Sequence, residues 1–241
     1  MMRVSALACG VAVGLLGGML AFPAPVHALL TWSADVSGTS LTCRDQEACD
    51  IDPVVGQLAL APTTINGVLV TGSFSHTTTN PFDLLSSGST SVINQSGATR
   101  NIAIAVGDIN FTGPTLGIIT SGSGTFIANQ GNSIVLKYYV DNANTQGANS
   151  ANDTPGSLVD TFNFTQTLPA TQSFSHDLVN PFVTTSLFSM TEQRTFTLAR
   201  GASMTSLGQT AIAVPEPASL AVFGAALAGF GIITWRRRQA A

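Results

Sequence analysis

Short stretches in which apolar and polar residues alternate recur along most of this chain, separated by Gly, Asn and Pro. Period-two alternation is the pattern of a strand buried on one face. In Arg100–Val106, Ile102, Ile104 and Val106 share a face, and in Ser133–Val140 the same holds for Ile134, Leu136, Tyr138 and Val140. In Arg194–Arg200, Phe196 and Leu198 point one way and Thr195 and Thr197 the other. Leu30–Val36, Val68–Ser75, Gly117–Ala128 and Leu158–Thr167 read as further strands, and no segment between residues 29 and 213 has helical periodicity. A body of about 185 residues with roughly ten or more short strands predicts an all-β fold, an antiparallel β-sandwich or jelly-roll-like body. The polar stretch Asp141–Gly156 has no apolar residue larger than Ala and reads as an exposed loop.

The two ends break this pattern. Residues 1–28 carry Arg3, an apolar run from Val4 to Phe22, Pro23 and Pro25, and finish Val26-His27-Ala28. Small residues at the last and third-last positions suit signal peptidase, so an N-terminal signal peptide cleaved after Ala28 is predicted. Cys9 would fit a lipoprotein only if the apolar run preceded it, and most of the run follows it. An uncleaved N-terminal anchor is the other reading, because the run is nearly long enough to span a bilayer.

At the other end, Val214-Pro215-Glu216-Pro217 leads into an uncharged run from Ala218 to Trp235, then Arg236-Arg237-Arg238. Eighteen helical residues would reach roughly 27 Å, close to a hydrocarbon core of about 30 Å. A single C-terminal transmembrane helix is the prediction, with the two prolines forming a stiff neck before it. Arg3 and the arginine triplet both belong in the cytoplasm by the positive-inside rule, so the body between them is exported. The organisation is thus a signal peptide (1–28), an exported β-sandwich domain (29–213) and a C-terminal segment (214–241).

The order Pro-Glu-Pro, short span and basic end resembles the PEP-CTERM sorting signal of Gram-negative bacteria. That resemblance covers about the last 28 residues. It implies that the precursor is held transiently in the inner membrane until an exosortase cuts near the motif and passes the body to the cell surface or beyond. Pro215, Glu216 and Pro217 would then be the recognition element, and Arg236, Arg237 and Arg238 the retention element. Members have dissimilar bodies and often accompany exopolysaccharide production, so the resemblance implies a surface or biofilm-matrix protein and supplies no ligand. A lectin-like module that binds a specific carbohydrate is the alternative.

Composition narrows the body further. Residues 29–213 hold five cations (Arg44, Arg100, Lys137, Arg194, Arg200) against twelve acids, with no basic patch, which argues against nucleic acid as a partner. Cys43 and Cys49 are a lone close pair, which in an oxidising compartment predicts a disulfide worth only about 2 kcal/mol. Two Cys without a nearby His make a poor metal site. Asp45, Glu47, Asp50 and Asp52 crowd the same loop and could offer oxygen ligands to calcium, but the set of an EF-hand is incomplete.

One internal echo remains. Residues 73–82 and 173–182 both read Ser-Phe-Ser-His-x-x-x-Asn-Pro-Phe. Two equivalent strand-to-turn corners would explain it, with Phe74 and Phe174 inward and Asn-Pro opening a turn. A paired site of His76 with His176, for metal or pH-dependent association, is the sharper reading. Nucleophile elbows, phosphate loops and the His-Glu-x-x-His pattern do not occur, so neither an enzyme nor a cofactor is predicted. A secreted hydrolase would need two carboxylates in one cleft. An ice-binding face would need regularly spaced Thr, whereas Thr77-Thr78-Thr79 is contiguous and its counterpart reads Asp177-Leu178-Val179.

Overall fold

A computed structural model describes residues 30–79 and 82–213. Among the described residues every regular element is a strand: β1 (Thr31–Val36), β2 (Thr39–Arg44), β3 (Gln57–Ile65), β4 (Val68–Thr79), β5 (Phe82–Asn94), β6 (Arg100–Thr112), β7 (Gly117–Ile127), β8 (Ser133–Asp141), β9 (Ser157–Thr165), β10 (Gln172–Pro181), β11 (Leu187–Leu198) and β12 (Ser203–Ala213). They form two six-stranded sheets, ordered β2-β1-β6-β11-β8-β9 and β10-β7-β12-β5-β4-β3, and every pairing is antiparallel. From β5 onward the chain mostly switches sheet at each connection. After β5, β8 and β9 are the one consecutive pair that stays within a sheet, so the two layers are stitched together along their length.

Alternation fixes which side of each strand is inside. In β8 buried and half-buried residues alternate without a break, putting Ile134, Leu136, Tyr138 and Val140 between the sheets. Trp32, Leu58, Val70, Leu85, Ile104, Ile118, Phe126, Phe188 and Met204 fill the same space. One open side of the sandwich is closed by rings: Phe126 and Phe174 from the second sheet meet Phe162 and Phe164 of β9, with centroids 5.2–6.1 Å apart. Aromatic pairs at such spacing add to their burial energy.

β6 runs well past its predicted end, to Thr112, and its residues Ile102 to Asp108 are buried on both faces. The reason is the segment 142–156, a loop exposed at Asn142, Ala143, Thr145, Asn149, Ser150 and Asn152 as its polarity predicts, but held against the sheet along its other side. It lies over the outside of the first sheet, burying Ala148 and Ala151. Gln193 donates to Ala151 O, Gln146 donates to Gly107 O, and Thr42 donates to Asn149 O. Small side chains let this backbone lie flat on the sheet, and amide side chains satisfy its polar groups. The predicted signal peptide, the Pro-Glu-Pro segment and the predicted span lie outside the described residues.

Candidate functional site

The echo at residues 73 and 173 has a shared structural cause. Both copies lie on strands of the second sheet, β4 and β10, with Phe74 and Phe174 buried as predicted. Each histidine also faces the other sheet and meets an aspartate there. His76 Nδ1 lies 2.9 Å from Asp108 Oδ2 on β6, and His176 Nε2 lies 2.7 Å from Asp160 Oδ2 on β9. Each imidazole also packs on a phenylalanine of the same partner strand, His76 on Phe111 at 4.0 Å and His176 on Phe162 at 4.7 Å. Asp160 and Phe162 share a face because they are two apart in a strand. Asp108 and Phe111 are three apart, and a β-bulge restores their common face: Ile109 and Asn110 stand opposite the single Ser189, with Asn110 at φ 67°.

The histidines therefore form two separate cross-sheet pairs. Strands β5, β12 and β7 lie between β4 and β10, which at about 4.8 Å per strand sets them roughly 19 Å apart. In the second copy Asn180 and Pro181 are the last residues of β10, where the chain leaves this sheet by the link 182–186 to β11 in the other. Asn80 and Pro81 of the first copy lie outside the described residues.

Between the two histidine pairs, the middle of the sandwich holds a charged pair. Glu192 and Arg194 project from β11 across the core, with their side chains 2% and 4% exposed and 3.2 Å apart. Ser87 of β5 and Thr210 of β12 donate to the carboxylate at 2.6 and 3.0 Å. The guanidinium donates to Thr90 of β5 and Ser206 of β12. Beside them Tyr138 donates to Ser121 O of β7, and Thr120 of β7 donates to Asp160. Three separate hydrogen-bonded groups, Arg194–Glu192 with its four hydroxyls, Tyr138–Ser121, and Thr120–Asp160–His176, thus lie side by side across the core, each joining the first sheet to the second.

The second sheet makes room for these long side chains with small residues. Ser87, Gly208, Gly122 and His176 form one inward row across β5, β12, β7 and β10. A Cβ on Gly208 would collide with the Arg194 guanidinium, and one on Gly122 would meet Leu136 and the Tyr138 hydroxyl. Gly208→Ala is accordingly expected to destabilise by about 1–3 kcal/mol, the usual cost of overpacking, measurable by thermal melting.

Burial shifts two carboxyls of the interior. Desolvation raises Glu192 above the usual carboxylate range, opposed by Arg194, Ser87 and Thr210. Asp108 is also raised by burial, opposed by His76. A raised folded pKa means the folded state holds its proton where the unfolded chain has released it. The stabilising contribution of Glu192 is therefore full below the unfolded value of about 4.3 and is lost as pH rises through the folded value. Glu192→Gln removes that dependence. Denaturant melts should show the stability of wild type minus that of the variant shrinking as pH rises from about 4 to 7.

On its outer side the second sheet bears a shallow cleft of ≈ 270 Å³ over the same glycine row, adjoining another of ≈ 440 Å³. The first is lined by Ser86, Ser121, Ser123, Ser175, Asp177 and Gln209, and His176 reaches its floor. A cross-strand row of hydroxyls, Thr71, Ser91, Thr205, Thr125 and Ser173, continues this surface. The cleft is open, and Leu207, 51% exposed, adds an apolar wall to its hydroxyls and amides. Nothing in the sequence marked it, because its walls are the short side chains that a strand pattern treats as neutral.

Cys43 and Cys49 form the predicted disulfide, with Cα atoms 5.9 Å apart, next to the core residues of β1 and β2. The acidic residues around it turn onto their own loop. Asp45 accepts from Gly56 N, Glu47 from Arg44 N, Asp50 from Gln46 N and Ala59 N, and Asp52 from Val54 N. Those carboxylates act as backbone caps. The predicted cleavage point after Ala28 and the residues Pro215, Glu216, Pro217, Arg236, Arg237 and Arg238 lie outside the described residues.

No curated protein matches this chain. Among solved structures, a carbohydrate-binding module, TmCBM61 in complex with β-1,4-galactotriose, is 12% identical over 61% of this chain and 88% of that one, with a TM-score of 0.32. A structure of infectious bursal disease virus, Gx strain, is 17% identical over 82% of this chain and 54% of its own, with a TM-score of 0.34. The chain thus spans about half the length of that viral protein. The C-terminal segment gives a specific match, and on residues 213–238 this chain carries a PEP-CTERM protein-sorting motif.

Proposed function

We propose that this chain is an exported, exosortase-processed protein of the cell surface or extracellular matrix, with a non-enzymatic body that associates with exopolysaccharide. The observation that carries this reading is the sorting motif at residues 213–238, which begins where the last strand of the body ends at Ala213. A disulfide-bearing, all-β body agrees with an oxidising destination. The placement of Asp108, Asp160 and Glu192 between the sheets supports a structural use of these carboxylates over a hydrolytic one. Signal peptidase and the exosortase are the processing partners, and the inner membrane holds the precursor in between.

Intact mass of the mature protein, from strains with and without a working exosortase, tests the reading. The expected product starts at Leu29 and lacks the arginine-ended tail only when the exosortase is present. A tail retained on the mature protein in the exosortase-positive strain would reject it. The hydroxyl-lined cleft on the second sheet favours a second reading, a carbohydrate-binding module that takes a neutral glycan there. Binding of the exported protein on a glycan array, lost on Ser123→Tyr at the cleft wall, is the result expected of that reading.

A further inference from the structure

We propose that the end of the sandwich from which the C-terminal segment leaves is a membrane-facing surface, apposed to the lipid headgroup and acyl boundary while the precursor is anchored. This rests on the reading of residues 218–235 as a membrane span.

Strand order puts one set of connections at this end. The links 113–116 between β6 and β7 and 182–186 between β10 and β11 both lie there, and β12 finishes beside them with Ala213 paired to Gly117. From Ala213 to the start of the uncharged run there are only residues 214–217. Fully extended, four residues reach about 14 Å. Ala213 therefore lies within about 14 Å of the hydrocarbon boundary, about two headgroup layers, which makes this the end of the body held toward the bilayer.

The surface at that end has the composition such a position calls for. Leu116, Val179, Val183 and Leu187 are 65%, 69%, 65% and 49% exposed. They belong to one neighbourhood: Phe182 N donates to Leu116 O, Val179 stands opposite Ile119, and Leu187 stands opposite Thr112. Neither link, Gly-Pro-Thr-Leu nor Phe-Val-Thr-Thr-Ser, contains a charged residue. The acids at this end turn inward or onto their own links. Asp83, beside the exit, is buried and accepts from Thr112 N, and Asp141 accepts from Ala143 N and Thr145 N. In the link after β2, Asp45, Asp50 and Asp52 accept from Gly56 N, Gln46 N and Val54 N, and Glu47 pairs with Arg44. The body's Arg100 and Arg200 sit at the opposite end, beside the connections 94–100 and 198–203. Exposed aliphatics rimmed by neutral polar residues suit the interfacial zone of a bilayer, where apolar side chains are buried by only several ångströms.

Residues 29–241, the chain after signal removal and therefore without Cys9 and the N-terminal apolar run, are reconstituted in phosphatidylethanolamine and phosphatidylglycerol liposomes with a spin label at Val183→Cys or, as the far-end control, at Thr99→Cys. The label at 183 should collide with an aqueous nickel chelate at least about fivefold less often than the label at 99, and more often with membrane-dissolved oxygen. Adding Leu116→Glu and Val179→Glu to the 183 label should raise its nickel collisions to the level at 99, with the chain still resisting alkaline carbonate. If the chain is retained through carbonate but the two labels are equally aqueous, the membrane-facing surface is overturned and the anchor stands. If carbonate strips the unsubstituted chain from the liposomes, the anchor fails and this proposal falls with it.

Discussion

Arg194→Met is expected to lower the stability of the body by about 3–5 kcal/mol, the cost of leaving a buried carboxylate without its partner. For a domain of this size that is a fall of roughly 6–20 °C in melting temperature. The side chain is nine-tenths hidden and donates to Glu192, Thr90 and Ser206, which lie on three different strands. Removing it strips the guanidinium from a carboxyl that burial already disfavours as an anion. Glu192→Leu in the same chain should recover part of the loss, since no unpaired charge then remains. Recovery should be incomplete, because the hydroxyls of Ser87, Thr90, Ser206 and Thr210 lose their charged partners and stay in the core. A double-mutant cycle by denaturant unfolding separates these parts. A single-variant loss below about 1 kcal/mol would show the pair to be solvated, as surface ion pairs are.

That pair also shows how far residue patterns carry. Parity along β11 places Arg194 on the same side as Phe196 and Leu198, so its inward direction follows from alternation alone. Its partners do not. Ser87 and Thr210 approach Glu192 from sequence distances of 105 and 18 residues. They do so because β5 and β12 are neighbours in the opposite sheet, a fact of topology that local spacing does not encode. The repeated Phe-x-His was equally visible as a pattern and equally silent about its cause. The matching Asp-x-Phe and Asp-x-x-Phe look different in sequence because the bulge at Asn110 absorbs one residue.

Strands were the most legible feature. β8, β7 and β1 start within a residue of their predicted limits. In β8 and the first half of β7 a half-buried outer face imposes strict alternation, whereas β1 is buried on both faces at all but Asp35. β2, β3, β5 and β12 escaped, since edge position or small residues such as Ser86-Ser87-Gly88 blur the two-residue period. The segment 141–156 misled for a related reason. Polarity usually marks solvent exposure, yet its amides pair with one another and with the sheet, and its alanines and Gly147 pack without bulk.

The second large effect is expected at Asn94, a residue that no motif distinguishes. It is wholly buried at the end of β5 and its Nδ2 donates to Ala98 O, Leu198 O and Ala199 O at 2.8–3.0 Å. Its Oδ1 accepts from the backbone N and the hydroxyl of Ser96. One side chain thereby closes the β5–β6 connection and fastens it to the β11–β12 turn. Asn94→Ala leaves buried carbonyls without donors and should cost about 2–4 kcal/mol, more than one ordinary hydrogen bond because several groups are orphaned together. Amide exchange should accelerate at residues 96–100 and 199–202 ahead of the rest of the body. Asn94→Asp should be at least as damaging near neutral pH, since a carboxylate would face three carbonyl oxygens with no proton to offer. Asn129, whose exposed side chain makes a single bond to Arg200 O, provides the contrast. Asn129→Ala should cost about 1–1.5 kcal/mol, one exposed hydrogen bond together with the strain of alanine at φ 63°. Equal losses at positions 94 and 129 would contradict the account, because burial and the number of orphaned partners are what set the two apart.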